Sequence, residues 1–592
     1  MPGNSLRKEL INNFFSKDSR LLGLALVIIV IGWAPLLYYS DMVGPQDWTL
    51  FLHFNEAIRK SIADFGQFPF WNPWHFGGTP LFARPQASIF ALETPCILLF
   101  GTIRGLCVAS ILYALFGACG MWLLLGDFCR RPSSRFWGAI LFGLQGTLNI
   151  HIAMGHIVMM TIVWLPWLIW SGKRIKESLS TAILFGVLSA MMMNHVLHYL
   201  TVIVSTVIGC FLIFELYRNR TEKAFYLNLT AAALTFITLC AYRVIVTWDF
   251  FRQFPRIMDV RAFIPLSKFV KGLIYPGQHG FSWPLGPGAP FWDWHEIGSY
   301  VGILAVIMFI VSFGRKLKWW HWGFLLTLPL ALDSETKFLP GYWLRELPLY
   351  NSMFAMTRWR FVTVFFLIIG SCCGIEIFFS DTRFKKYAKY GIPVVLTISC
   401  LGLIYNSWYC FINTQWQDKQ QIMNSVPLQS DTVVTSGNNE YNGYAATAKG
   451  VDLLYTYEPL WGYSENYQTK RVYVELPRYY RGEVVPQRYK FKSLEWTPNR
   501  ISFETVAPDK IYINQNPGSY WRSKSRRLFP DARSFETMGM LIYEAPEAGT
   551  NSVYARPPLH EIALLISLIS AILLTVYLIW LSYAVQSDPE KD

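Results

Sequence analysis

The chain has 592 residues, of which 53% are apolar, 17% aromatic and only 15% charged, with a formal net charge of +13. Together with a positive mean hydropathy, that balance excludes an ordinary soluble protein and points to a polytopic membrane protein. The basic excess does not call for a nucleic acid, because the lysines and arginines fall in short clusters between apolar runs, where membrane insertion places them.

Taken from the start, Arg7, Lys8, Lys17 and Arg20 precede a first apolar run, Leu21 to Tyr39. Tyr38, Tyr39 and Asp41 stand where a signal peptide would need small residues, so this run is expected to remain as an anchor. A long loop, 40–104, follows; its apolar piece Ser88 to Gly101 lies between two outward-facing points and reads as a re-entrant or interfacial helix. Further runs are Gly105 to Gly126, Phe136 to Asn149, Ile157 to Ser171, Leu179 to Val196, Thr201 to Phe214 and Phe225 to Val246. After a second long loop, 247–296, come Ile297 to Phe313, Trp322 to Leu332, Phe361 to Phe379 and Gly391 to Trp408, and the last run is Ile562 to Ala584. This makes about twelve spans, roughly 20 residues being needed to cross the hydrocarbon core. The basic clusters fall on alternate loops, so both termini are predicted cytoplasmic and the long loops extracytoplasmic.

Three parts result: a multi-span module 1–408 with outer loops 40–104 and 247–296, an outer β-rich domain 409–558, and a final helix with its tail, 559–592. In the outer domain, "RVYVELP", "YKFKSLEW", "RISFETV", "KIYINQN" and "MGMLIYEAP" alternate polar and apolar residues between Pro, Gly and Asn, the pattern of short strands with one buried face. The fold class is therefore a polytopic α-helical membrane protein with a C-terminal extracytoplasmic β-sandwich-like domain. No cysteine follows Cys410 and there is no CxxC pair or zinc spacing, so no disulfide framework is implied.

The first loop is too elaborate for a connector. "DWTLFLHFNEAIRKSIADF" places Trp48, Phe51, Leu52, Asn55, Ile58, Ile62 and Phe65 near helical spacing, consistent with a helix in the membrane interface, with Glu56 on its solvated face. In "FPFWNPWHFGGTP" the Pro and Gly residues impose an ordered turn, while Trp71 and Trp74 suit a membrane surface or a sugar face. Arg243 lies inside an apolar run, and Arg358 and Arg360 stand at the mouth of another; intramembrane Arg faces a polar cavity or partner, or snorkels. His151, His156, His195 and His198 fall at outer ends of consecutive runs, and His53, His75, His279 and His295 also lie outside. No carboxylate or cysteine accompanies them at ligand spacing, so no metal site is assigned, and hydrogen bonding to phosphate, sugar or backbone is the expected role. Trp283, Trp292 and Trp294 of the second loop can stack on sugar rings or anchor at the interface, with Asp293 and Glu296 as reserve carboxylates.

"SDMVGPQDW" followed by "FPFWNPWHFGGTPLFARPQASIF" resembles the first outer loop of YfhO-type membrane proteins, a branch of the GT-C glycosyltransferase superfamily, with its Asp after helix one and its P-x-W-N-P-x-x-x-x-G-x-P run. "HEIGSYVGILAV", "MFAMTRWRFVTVF", "QNPGSYW" and "YEAPEAGTNSVYARPP" resemble further segments of that family, although "TRWRF" lacks a proline found in its motif. The resemblance implies a GT-C-like bundle in a bacterial-type inner membrane. It also implies a glycosyltransferase that moves a sugar, with inversion, from a polyprenyl-phosphate donor to a lipid-linked or cell-envelope glycan on the outer face. A carboxylate of the first outer loop would act as general base, Asp41 matching its position best and Asp47 second. The leaving phosphate would be met by Arg243, Arg358, Arg360 and Arg84. Sugar or acceptor would meet His53, Trp71, Asn72, Trp74, His151, His156, His195, His198, His279 and Trp292. No cofactor is predicted, a divalent cation is left open, and membrane lipid is the further partner. Two other classes stay open: a transporter or flippase of a lipid-linked saccharide, against which stands the lack of an internal duplication, and a non-catalytic membrane scaffold.

Overall fold

The computed structural model describes residues 18–75, 78–197, 199–255, 261, 263–278, 282–284, 291–314, 316–353, 355–380, 388–425, 432–433, 442–449, 452–453, 484–513, 515–516, 519–523, 528–529 and 541–586. Among them, seven helices are long and apolar enough to cross a membrane: Ser19–Tyr38, Thr102–Leu125, Tyr199–Arg218, Lys223–Gln253, Met356–Ser380, Tyr390–Ile412 and His560–Trp580. The other five apolar runs form shorter helices, among them Leu179–His195 and Ile303–Ser312. One of the five breaks for a local reason: Gln145, at φ −56° and ψ 141°, divides Phe136 to Asn149 into Pro132–Leu144 and Gly146–Ala153.

Met356–Ser380 is the centre of the bundle, with 83% of its most apolar window buried, whereas His560–Trp580, at 11%, lies at the periphery. Glycine permits the closest packing at the centre: a Cβ on Gly374 would lie 1.8 Å from the carbonyl oxygen of Met308 in the neighbouring helix Ile303–Ser312. The piece read as re-entrant forms a short helix, Glu93–Phe100, exposed at Leu98, Leu99 and Phe100 and fully buried at Glu93.

At one end of the bundle sit two four-stranded antiparallel sheets. The first runs Ser493–Thr497, Arg500–Thr505, Gly549–Ala555, Trp521–Ser523, and the second Leu528–Phe529, Leu541–Ala545, Asp509–Ile513, Val484–Pro486. Four of the five segments read as strands appear here, and "RVYVELP" lies outside the described residues. The sheets face one another: Phe503 of the first meets Tyr543 of the second edge-on at 5.4 Å, and the Tyr543 hydroxyl donates to Asn551 Oδ1 at 2.7 Å. Ile501, Ile511, Ile513, Leu541 and Val553 are fully buried between them, as their alternation in sequence requires.

This sandwich is docked on the first long loop. Trp71 donates its backbone amide to Asn499 Oδ1 at 3.0 Å and its indole N–H to Gln515 Oε1 at 2.7 Å, and packs against Trp521 at 5.2 Å. Gln67 donates to Thr497 Oγ1 and accepts from the Asn499 amide, and Asn516 Nδ2 reaches the Gly78 carbonyl at 2.9 Å. The loop's helix, Asp47–Ala63, is buried at Trp48 through Ile58 and so sinks between bundle and outer domain, where an interfacial helix would keep one wet face. Glu56, read as solvated, is buried; it accepts from Arg59 Nη2 at 2.7 Å and from Thr102 Oγ1. Because Trp71 fills the joint, Trp71→Ala is expected to lower stability by roughly 3–5 kcal/mol; limited proteolysis of the reconstituted protein should show faster cleavage within the sandwich.

Candidate functional site

The helix Gly146–Ala153 ends in a turn that decides the site. Gly155, in the left-handed region at φ +82°, lets the His156 amide reach back to the His151 carbonyl at 2.9 Å, closing the helix and returning His156 beside His151. Only glycine fits this turn, because a Cβ on Gly155 would stand 2.0 Å from the backbone nitrogen of Trp48. The turn is thereby pressed against the start of the helix Asp47–Ala63, and the Trp48 indole N–H completes the contact by donating to the Ile152 carbonyl at 3.0 Å.

A cluster of charged and imidazole groups results. His151 Nδ1 lies 2.6 Å from His156 Nδ1, and His156 Nε2 lies 3.3 Å from Asp47 Oδ2. From the second long loop come His295 and Glu296, and from the entry of the central span come Arg358 and Arg360. Arg358 Nη2 donates to Glu296 Oε1 at 2.6 Å, and Arg360 Nη1 stands 3.5 Å from Oε2. Arg360 also donates to the carbonyls of His295 and Glu296 and, at 2.5 Å, to His151 Nε2. Glu296 is 3% exposed, whereas Asp47 at 22% is the carboxylate open to solvent.

Burial works against ionisation of Glu296, but Arg358, His295 and Arg360 beside it outweigh that and hold its carboxyl well below the ordinary range. Burial, reinforced by Arg360, pushes His151 far below its usual value; burial with His295 and Arg358 alongside does the same to His156. At neutral pH the site therefore holds the Glu296 carboxylate between two guanidiniums, with His151 and His156 as neutral imidazoles.

One donor each from His156, His295 and Glu296 falls within 4.8 Å of the others, a spacing a cation could use. A carboxylate thus does accompany these histidines, brought in from a loop about 140 residues away. The set nevertheless does not fit a cation in this arrangement. The Glu296 oxygens face Arg358 and Arg360, and His156 Nε2 faces Asp47 while its Nδ1 faces His151.

The remaining residues singled out in the sequence lie elsewhere. Asp41 is 66% exposed and paired with Arg104 at 2.5 Å, whose hydrogen bond holds the carboxyl below its ordinary value. His53 bridges Thr447 and Asn72 and lies tilted against His75, ring centres 4.5 Å apart; His75 meets Arg84, whose guanidinium covers the Phe54 ring at 4.3 Å. Trp74 lies buried 6.2 Å from Trp496 of the sandwich. Trp74, with Trp71, belongs to the joint between loop and sandwich, while His53, Asn72, His75 and Arg84 bond within the loop and to Thr447. Arg243, 1% exposed, donates one nitrogen to the carbonyls of Arg84 and Ala87 at 2.7 and 2.6 Å and so staples the end of the loop to its span. His195 belongs to a separate buried group, bonded to Glu93 Oε1 at 2.9 Å and to Thr161. His198, His279 and the Trp292 side chain lie outside the described residues.

A groove of about 410 Å³ opens beside the cluster, with Met193, Leu197, Val244, Trp248 and Phe251 on its apolar walls. Thr201, Ser205, Thr206 and Tyr350 supply hydroxyls. Of its lining, Tyr350 stacks parallel to Trp359, between the two arginines, at 6.5 Å, and Tyr199, two residues before Thr201, lies 4.9 Å from the Arg358 guanidinium.

No protein-family profile matches the sequence, and no curated protein matches it. Among solved structures the chain is similar to the Archaeoglobus fulgidus oligosaccharyltransferase in its apo form, with a TM-score of 0.45 at 10% identity over 77% of this chain and 66% of that one. It is similar also to the same enzyme tethered to an acceptor peptide containing the NVT sequon, with a TM-score of 0.46 at 11% identity over 75% and 64%. To the oligosaccharyltransferase AglB of that organism with an inhibitory peptide and a dolichol-phosphate, the TM-score is 0.45 at 10% identity over 75% and 64%. The chain spans about two thirds of the length of these structures, and similarity this slight transfers neither a site nor an activity.

Two outcomes follow from the cluster. Gly155→Ala is expected to cost at least about 1 kcal/mol and to displace His156 from Asp47, which differential scanning fluorimetry and histidine NMR would register. Acidification should destabilise the site: below about pH 6.5 the unfolded chain protonates histidines that the folded cluster keeps neutral, and lower still it protonates the carboxylate paired in the fold. Both linkages have the same sign, so the melting temperature should fall from pH 7 to pH 5, and less steeply in His156→Gln.

Proposed function

We propose that this chain is a GT-C-type membrane glycosyltransferase related to the YfhO-type proteins, moving a sugar from a polyprenyl-phosphate donor to a cell-envelope or lipid-linked glycan on the extracytoplasmic face, the face that carries the sandwich. The observation that carries this reading is Asp47: a carboxylate 22% exposed and held by a buried cluster of fixed charge whose arginine side adjoins an apolar groove.

The chemistry follows from those positions. The acceptor hydroxyl attacks the anomeric carbon and passes its proton to Asp47. The bond from that carbon to the phosphate oxygen breaks with its electron pair leaving on the phosphate, and configuration at the carbon inverts. Arg358, which the groove adjoins through Tyr350 and Trp359, is the donor that meets the growing negative charge in this reading. The groove's apolar walls suit the first isoprene units of a carrier, and its hydroxyls line the approach to the charged end. Asp47 rather than Asp41 takes the role of base in this reading, because Asp41 is solvated and engaged by Arg104.

The test is sugar transfer by the protein in lipid nanodiscs from a panel of polyprenyl-phosphate sugars, with envelope lipid as acceptor. Asp47→Asn should reduce transfer about 100- to 10,000-fold, while Asp41→Asn stays within a few-fold of wild type. Full activity in a folded Asp47→Asn protein would remove Asp47 from the mechanism, and no transfer from any donor would remove the proposed reaction.

A further inference from the structure

The cluster contains a chain of contacts whose proton positions are determined by one residue. A guanidinium has only donors to offer, so the nitrogen of His151 that faces Arg360 Nη2 at 2.5 Å, Nε2, has to accept. A neutral imidazole with an accepting Nε2 carries its proton on Nδ1. That proton points at His156 Nδ1, 2.6 Å away, which must then accept in turn. His156 is left with its proton on Nε2, 3.3 Å from Asp47 Oδ2. Each link fixes the next, and the direction of donation runs from Arg360 to Asp47.

We infer that Arg360, His151 and His156 form a one-way hydrogen-bond relay that fixes the tautomer of both imidazoles and holds Asp47 as a proton acceptor. In this assignment His151 and His156 are positioning residues. His156 donates to Asp47 and so orients the carboxylate; during transfer the hydroxyl proton goes to Asp47, and His156 keeps its own. The relay also settles what His156 offers to a cation. Its Nε2 carries a proton and its Nδ1 lone pair is taken by His151, so ligation would require Arg360 to leave His151 first. The catalytic use of the relay rests on the proposed glycosyl transfer, whereas the tautomers do not.

Nitrogen-15 NMR of the full-length chain, labelled at histidine and held in lipid nanodiscs at pH 7.5, reads the tautomers directly, with His151→Gln and His156→Gln supplying the assignments. The expected spectrum shows His151 protonated on Nδ1 and His156 on Nε2, and addition of Mn2+ at a concentration equal to the protein leaves the His156 signals unbroadened. The opposite tautomer at either residue, an imidazolium at either, or selective broadening of His156 by Mn2+ would overturn the relay. In the transfer assay, His151→Gln should lower kcat at least tenfold with KM within about threefold; unchanged kcat would remove the positioning role. If wild type transfers no sugar while the tautomers are as stated, the glycosyltransferase reading falls and the relay stands.

Discussion

A carboxylate sunk to 3% exposure must either give up its charge or be surrounded by compensating groups. Glu296 takes the second course, and much of the site's geometry follows from that. Two arginines have to stand beside it, and both come from the two residues either side of Trp359, where the chain enters the most deeply buried span. Arg360 then holds the second loop by two carbonyls and the imidazole of His151 by a third contact. Removing one partner would leave a charge stranded in the interior, a penalty of about 3–5 kcal/mol for buried pairs. The polar half of the site is thus rigid because its charges are buried, and Asp47 meets that rigid half through His156.

The first long loop serves two surfaces. Its helix begins at the charged cluster, where Asp47 and Trp48 meet the Gly155 turn, and its far end is absorbed by the sandwich through Gln67 and Trp71. Between these ends His53 ties the helix to Thr447, and beyond Trp71 Arg243 ties the tail of the loop to a span. Aromatic residues that could have faced a sugar are used as packing at the joint. A glycan acceptor would have to approach from the side on which Asp47 remains open.

How much of this could be read from the sequence depended on whether the deciding signal was local. Apolar runs and alternating strands are local, and helices and sheets appear at those places; a break such as Gln145 inside one run is one that mean hydropathy does not register. Trp71 and Trp74 looked like exposed aromatics since nothing nearby in sequence announces Asn499, Gln515 or Trp496. Glu56 looked solvated for the same reason, its partner Thr102 lying 46 residues on. In the cluster, the pair Arg358 and Arg360 carries a usable signal: two cations at a membrane mouth call for a polar partner, and Glu296 is among the reserve carboxylates. The choice between Asp41 and Asp47 could not be made from spacing, because both follow the first span within nine residues; what separates them is the Gly155 turn, which presses only the second against the histidines.

The joint between the first loop and the sandwich also sets an order of assembly. The amide of Trp71 finds its acceptor 428 residues later in the chain, and its indole N–H finds one 444 residues later. A ribosome adding roughly 5–20 residues each second would complete every span but the last before Asn499 and Gln515 emerge. Throughout that interval the loop bearing Asp47 stands in its membrane scaffold with the Trp71 side of its fold unmade. The loop that carries Asp47 is thus among the first parts to be synthesised while its Trp71 side is among the last to be secured, and a chain interrupted late in synthesis would present a nearly whole bundle with that side unfinished.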